Sequence, residues 1–234
     1  MNHEDFDVHG LATYLHLTPQ QVQRLADRGK IPGRKVAGQW RFSPAEIHQW
    51  LEHRIGLLTD DEDFAEMESQ LKPKNATAGE ISIAALLPVE AIQVPLVGRT
   101  RNSIVREIVE VAARTGWLWD TQAMIEAVLA REDMHPTALE NGVALLHPRR
   151  PQPRILEQPF LAFGRTQSGI PFGGDTGTLT DCFFLICSVE DRGHLRTLAR
   201  LSRLLAVPEF LPTLRELEDP SAIRKWIAEV EKGF

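Results

Sequence analysis

The chain has 234 residues, of which 43% are hydrophobic and 25% charged, with a formal net charge of −6. That balance is ordinary for a soluble globular chain of one to two domains and excludes a uniformly basic nucleic-acid binder. No apolar run approaches a membrane span, and the acidic, polar start over residues 1–7 is no secretory signal, so a cytoplasmic protein is expected. The average hides an asymmetry. Arg24, Arg28, Lys30, Arg34, Lys35 and Arg41 stand against one acid, Asp27, within residues 18–41, whereas Asp60, Asp61, Glu62, Asp63, Glu66 and Glu68 crowd residues 60–68 without a base. Local charge informs about partners more than the sum does.

Asp7 is placed to cap a first helix with Val8, Leu11, Ala12 and Leu15 on one face. His16-Leu17 is the turn. Thr18-Pro19-Gln20-Gln21 then opens a second helix, with Thr18 as N-cap, Pro19 at the first helical position and Gln21 closing a capping box. Val22, Leu25 and Ala26 form its inner face, and Gly29 and Pro32 end it. Two short helices joined by a tight turn are a helix-turn-helix. The stretch Arg34-Lys35-Val36-Ala37-Gly38-Gln39-Trp40-Arg41-Phe42 alternates about a glycine turn and predicts a two-stranded wing. Ser43-Pro44-Ala45-Glu46 begins a further helix with Ile47, Trp50 and Leu51 inside.

This order resembles the excisionase-like branch of the MerR-type winged helix-turn-helix domains, most closely at Leu25-Ala26-Asp27-Arg28-Gly29-Lys30-Ile31-Pro32 and at Gly38-Gln39-Trp40-Arg41-Phe42. A small winged helix-turn-helix domain over residues 1–55 is therefore expected. The exposed face of the second helix offers Gln20, Gln23 and Arg24, residue types that read adenine and guanine edges in the major groove. Arg34, Lys35 and Arg41 on the wing are suited to phosphates, which fix the register. The competing reading is a solvated basic face on a protein-binding module. A unit this small binds weakly alone, so a homodimer or several copies on one site is expected.

Residues 56–79 read as an acidic linker, in which Leu58, Phe64, Met67 and Leu71 form at most one weak helical face. Residues 80–234 alternate strand and helix patterns. Strands are expected at 91–96, 143–146, 160–163 and 182–189, the last apolar throughout and so central. Helices are expected at 102–114, from Asp120 to about Arg131, at 190–206 and from Asp219-Pro220 onward. The class is α/β, a mixed β-sheet flanked by helices. Cys182 and Cys187 lie five residues apart in one strand, on opposite faces, and read as buried thiols that cannot bridge each other. The glycine-rich stretch from Phe172 to Gly177 lacks the Gly-Lys-Ser/Thr end of a nucleotide loop and reads as a turn.

One stretch carries chemistry. The helix ending at Arg131 leads through a polar turn to Asn141-Gly142, then to the apolar run Val143-Ala144-Leu145-Leu146, which delivers His147 to a strand end ahead of Pro148, Arg149 and Arg150. Neutral imidazole is a good nucleophile near neutral pH, and guanidinium groups neutralise the oxygens of a transferred phosphoryl group. Arg149 and Arg150 read as solvated or carrier-facing. His3, His9, His16, His48, His53 and His135 show no metal-ligand spacing, and no metal or cofactor is expected.

The residues Arg131-Glu132, Thr137, Gly142-Val143-Ala144-Leu145-Leu146-His147 and, later, His194-Leu195 resemble, in colinear order over roughly residues 81–234, the type-2 IIA domains (EIIA) of the bacterial phosphoenolpyruvate-dependent phosphotransferase system (PTS), of the nitrogen-regulatory and mannitol/fructose kind. This chain has Leu146 where that family has proline, with Pro148 after the histidine, and Pro136-Thr137-Ala138 in place of Ser-Thr-Gly. The resemblance implies that His147 accepts a phosphoryl group from a phosphohistidine carrier protein (HPr/NPr-like), with His194 and Arg131 alongside and Thr137 as a hydroxyl donor. Together the two halves predict a DNA-binding regulator whose state is set by that phosphorylation. The rivals are a plain phosphocarrier component and a non-phosphorylated scaffold.

Overall fold

A computed structural model describes residues 5–15, 17–57, 81–173 and 177–233. The chain divides into two compact units, one holding the N-terminal elements along with Leu198–Ala206, the other Glu80–Thr197 and Val207–Phe234.

In the N-terminal unit, α1 (Val8–Leu15) and α2 (Pro19–Asp27) form the helix-turn-helix. The Asp7 carboxylate accepts from the Gly10 N–H at 2.7 Å. Thr18 and Gln21 make the expected capping box, with the Thr18 N–H donating to Gln21 Oε1 at 2.8 Å and the Gln21 N–H to Thr18 Oγ1 at 3.3 Å. These bonds satisfy amides that the first helical turn leaves orphaned. Leu11, Ala12, Leu15, Val22, Ala26, Ile31, Phe42, Ile47 and Leu51 are buried. β1 (Arg34–Val36) and β2 (Gln39–Arg41) pair antiparallel around Ala37 and Gly38, whose φ values of 50° and 79° both lie in the left-handed region that a two-residue hairpin turn requires. α3 spans Pro44–Leu57, two residues past the start of the expected linker. The rest of that linker, with its weak apolar face, lies outside the described residues.

Beyond residue 80 a short α4 (Ile83–Leu86) and a 3₁₀ turn (Val89–Ala91) lead into β3 (Ile92–Leu96). Then come α5 (Arg101–Ala113), α6 (Thr121–Met134), β4 (Val143–Leu146), β5 (Phe160–Pro171), β6 (Leu179–Cys187), α7 (Asp191–Ala206), α8 (Phe210–Glu216) and α9 (Pro220–Glu231). The sheet order is β3-β5-β6-β4, so β6 is indeed central. β3 runs parallel to β5, β5 antiparallel to β6, and β4 parallel to β6. The mixed sheet flanked by helices agrees with the expected class.

Three elements differ from the sequence reading. β5 is twelve residues long rather than four. Its second half, Gly164-Arg165-Thr166-Gln167-Ser168-Gly169, looks like loop by composition. Two of its glycines serve close approach instead. A Cβ on Gly164 would stand 2.5 Å from Leu96 Cδ1, and one on Gly169 would stand 2.7 Å from Leu179 Cβ. α4 and α8 carry too few residues for a periodicity to show. α4 is held by Glu231 from α9, whose carboxylate accepts from Ser82 Oγ at 2.8 Å and from the N–H groups of Ile83 and Ala84 at 2.6 and 3.0 Å.

Candidate functional site

β4 and β6 are parallel neighbours, with Leu146 opposite Leu185, so their carboxyl ends emerge together. His147 is the first residue beyond β4 and Ser188 the first beyond β6. α7 then turns His194 back over the same end. The two imidazole rings lie with centroids 4.9 Å apart and planes at 53°. Both side chains are buried, His147 at 3% and His194 at 2% exposure. The Ser188 hydroxyl and His194 Nδ1 share a hydrogen bond of 3.0 Å.

His147 Nδ1 lies 2.7 Å from the Leu145 carbonyl oxygen. A carbonyl only accepts, so the proton sits on Nδ1, and in the neutral ring the lone pair is on Nε2. The backbone thus selects the tautomer, and the nitrogen that can attack is Nε2.

Thr137 is bonded to a carboxylate, Glu132, that the resemblance included in its Arg131-Glu132 pair without assigning it a role. Glu132, in the last turn of α6, is 1% exposed. Its carboxylate accepts from the Thr137 N–H at 3.2 Å and from the Thr137 hydroxyl. Burial pushes the carboxyl above its ordinary range, while the Thr137 hydrogen bonds and, less so, the Arg131 charge pull it back in part. Thr137, expected to donate to a transferred group, here donates its hydroxyl proton to Glu132. Arg131 donates from Nη1 to the His135 carbonyl at 2.7 Å, across the C-cap of α6. The sequence did hold a signal for Glu132. It falls one helical turn beyond Val128 on the inward stripe of Met124, Ile125 and Val128, where a lone charge is out of place. Ser188 carried no such signal, because its partner is fixed only by tertiary contact. Arg149 and Arg150 are exposed.

The opposite end of β4 is anchored separately. Gly142, at φ 84°, turns the chain into the strand. Arg215 on α8 holds Asp181 through Nε and Nη2, both at 2.8 Å, and donates from Nη2 to the Asn141 carbonyl at 2.7 Å.

In the N-terminal unit, α2 buries Val22 and Ala26 and leaves Gln20, Gln23 and Arg24 exposed on one side. Arg34 and Lys35 are exposed on β1, and Arg41 is half-buried on β2, donating to Gln39 Oε1 at 3.3 Å. Asp27, the single acid of this basic stretch, ties the wing to α2: Trp40 Nε1 donates to it at 3.0 Å and Lys35 Nζ lies 3.8 Å away, itself 5.0 Å from the Trp40 ring centroid. Arg34 pairs with Asp5 at 2.8 Å. Among the described residues no helix is long and apolar enough to cross a membrane, and no group of three or more His, Cys, Asp or Glu is disposed to hold a metal ion.

Residues 85–230 match the family described as phosphoenolpyruvate-dependent sugar phosphotransferase system, EIIA 2, and residues 10–54 match a helix-turn-helix domain family. A nitrogen regulatory protein of Bradyrhizobium diazoefficiens is 34% identical over 149 residues, 62% of this chain and 94% of that protein. The fructose-specific EIIABC component of Bacillus subtilis is 30% identical over 154 residues, which are 65% of this chain but only 24% of the relative, so this chain spans about a quarter of it. The crystal structure of nitrogen regulatory protein IIA-Ntr from Neisseria meningitidis superposes with a TM-score of 0.56 at 21% identity, covering 62% of this chain and 98% of that one, a likeness of fold. The chain belongs to the phosphotransferase system EIIA type-2 family and carries a helix-turn-helix domain ahead of the EIIA region.

Proposed function

We propose that this protein is a cytoplasmic transcriptional regulator in which His147 accepts a phosphoryl group from a phosphohistidine carrier protein of the HPr/NPr kind, and that the phosphorylation state alters DNA binding through the N-terminal unit. The observation that carries this reading is the 2.7 Å bond from His147 Nδ1 to the Leu145 carbonyl, which leaves the attacking lone pair on Nε2 beside His194. In the transfer the Nε2 lone pair bonds to phosphorus as the donor's P–N bond breaks. That electron pair returns to the donor ring, and the His147 proton stays on Nδ1, donated in a hydrogen bond to the Leu145 carbonyl. Exchange between two imidazoles is close to balanced in energy, so the protein's part is to position and to screen charge. His194 is the neighbouring donor to the phosphoryl oxygens, and Arg131 supplies positive charge. The N-terminus of α7 adds the favourable end of a helix dipole.

Gln20, Gln23 and Arg24 would read base edges, while Arg34, Lys35 and Arg41 would hold phosphates. One such unit supplies a small interface, so we propose that the protein acts on DNA as a homodimer. The similarity to a Bradyrhizobium diazoefficiens nitrogen regulatory protein supports regulation rather than sugar uptake as the task.

The test is intact-mass analysis in alkali after incubation with phosphoenolpyruvate and the two general phosphotransferase proteins, beside a His147→Ala control. One phosphoryl adduct, lost in the variant, is expected. DNA retention of the two states is then compared. A folded protein that gains no adduct from an active donor overturns the reading.

A further inference from the structure

Three links in series, the first a double one, lead from Glu132 to the reacting ring. Glu132 accepts from both the N–H and the hydroxyl of Thr137. The Thr137 carbonyl accepts from the Leu145 N–H at 3.3 Å. The Leu145 carbonyl accepts from His147 Nδ1 at 2.7 Å. One peptide unit, Leu145, therefore carries the link to Thr137 on its N–H and the link to His147 on its C=O.

The surrounding structure makes this link sensitive. β4 is an edge strand of the sheet. Its outer side is covered by the strip over residues 137–139, through the Ala138–Ala144 bridge and the bond from the Leu139 N–H to the Val143 carbonyl at 2.7 Å. Glu132 grips the first residue of that strip. Its own position is otherwise unfavourable, being a carboxylate nearly out of water and in the last turn of α6, where the helix dipole opposes negative charge. A structural clamp at this place could be made from neutral groups. The carboxylate adds two things: a double acceptor for Thr137, and a negative charge.

We propose that Glu132 is a positioning residue for phosphoryl acceptance: acting through Thr137 and Leu145, it holds His147 in the Nδ1–H tautomer that aims the Nε2 lone pair at the incoming phosphorus. The inference rests on the phosphorylation reading for its consequence, and on the hydrogen-bond series alone for its structural content. Hydrogen-bonded series of this kind polarise one another, so weakening the first link weakens the last. In Glu132→Gln the amide NH₂ can no longer accept, so one of the two Thr137 bonds is lost along with the charge.

The test uses the ¹⁵N-labelled full-length protein and two readouts. Long-range ¹H–¹⁵N correlation spectra of the histidine rings report the tautomer. Wild type is expected to show His147 as the Nδ1–H form, and Glu132→Gln a mixture with the Nε2–H form. Phosphorylation kinetics from a phosphohistidine carrier are expected to show kcat reduced roughly tenfold with the carrier KM unchanged. Thr137→Ser should keep both properties of wild type, and Thr137→Val should reproduce Glu132→Gln. The double variant should lose no more than either single one, because both cut the same series. A folded Glu132→Gln protein with a single Nδ1–H tautomer and an unchanged rate overturns the proposal. If Glu132→Gln does not fold, the Thr137→Ser and Thr137→Val pair decides it by the same two readouts. If wild type accepts no phosphoryl group, the functional reading fails while the tautomer spectra still decide the positioning role.

Discussion

His147 and His194 face each other with ring centroids 4.9 Å apart, although one follows an edge strand and the other opens a helix beyond a central strand. The parallel register of β4 on β6 creates the pairing, and Ser188 orients the second ring. His194→Ala should leave His147 reactive but take away the neighbouring donor to the phosphoryl oxygens. The expected loss in phosphorylation rate is roughly 10²-fold, in line with removal of one preorganised donor. Ser188→Ala, which removes one hydrogen bond to the ring, should cost less. Single-turnover phosphorylation of both variants checks the order. A His194→Ala protein as fast as wild type would make that histidine a bystander.

Gly142 delivers β4 and hence His147. Its φ of 84° belongs to the left-handed region, and an added Cβ would stand 2.7 Å from Arg215 Nη2, 3.2 Å from Asp181 Oδ1 and 3.3 Å from the Leu179 carbonyl. Gly142→Ala should therefore destabilise the unit by about 2–4 kcal/mol, combining backbone strain with displacement of the Arg215–Asp181 pair. Urea unfolding followed by circular dichroism measures this. A change below about 0.5 kcal/mol would mean that the turn relaxes freely.

Glu132 sets a pH dependence whose sign is fixed. Its folded carboxyl lies above the ordinary value, chiefly through burial. The native state then binds the proton more tightly than the unfolded chain does. Stability from this group is full below the unfolded carboxyl range and is lost as pH rises through the folded value. Glu132→Gln has no such ionisation. Wild type should lose stability relative to the variant as pH rises from the acid side of the carboxyl range toward neutrality. Denaturant midpoints of both proteins across that range test it, and a gap moving the other way would place the folded carboxyl below its usual value.

Cys182 and Cys187 are both buried on β6, without a disulfide. Burial, reinforced by the nearby Asp181 charge, pushes the Cys182 thiol up to about 12, and burial alone pushes Cys187 up. At about pH 8 the thiolate of Cys182 is then roughly one part in ten thousand, so alkylation of the folded protein should be negligible over hours. Both thiols should react in concentrated guanidinium. Intact mass after iodoacetamide treatment distinguishes the two states, and a rapid adduct on the folded protein would show β6 opening.

Local signals were legible where they are strong. The Thr18–Gln21 box, the Ala37-Gly38 turn, the apolar run of β4 and the caps at Asp120 and Asp219 all follow from residue types acting within one turn of themselves. The second half of β5 was not legible, because Gly164 and Gly169 look like loop residues until Leu96 and Leu179 arrive against them from other strands. Thr137 illustrates the same limit in the site. Its hydroxyl could face any acceptor, and only the folded chain sets Glu132 in front of it.

The sequence by itself determined the fold class, the two kinds of domain and the candidate histidines, because periodicity, capping and motif order are properties of contiguous residues. The tertiary structure alone decided the rest. It brought His147 to His194, chose the proton position on His147 through the Leu145 carbonyl, and buried Glu132 against Thr137. These depend on strand register and on where water is excluded, which are set by contacts between segments far apart in the chain.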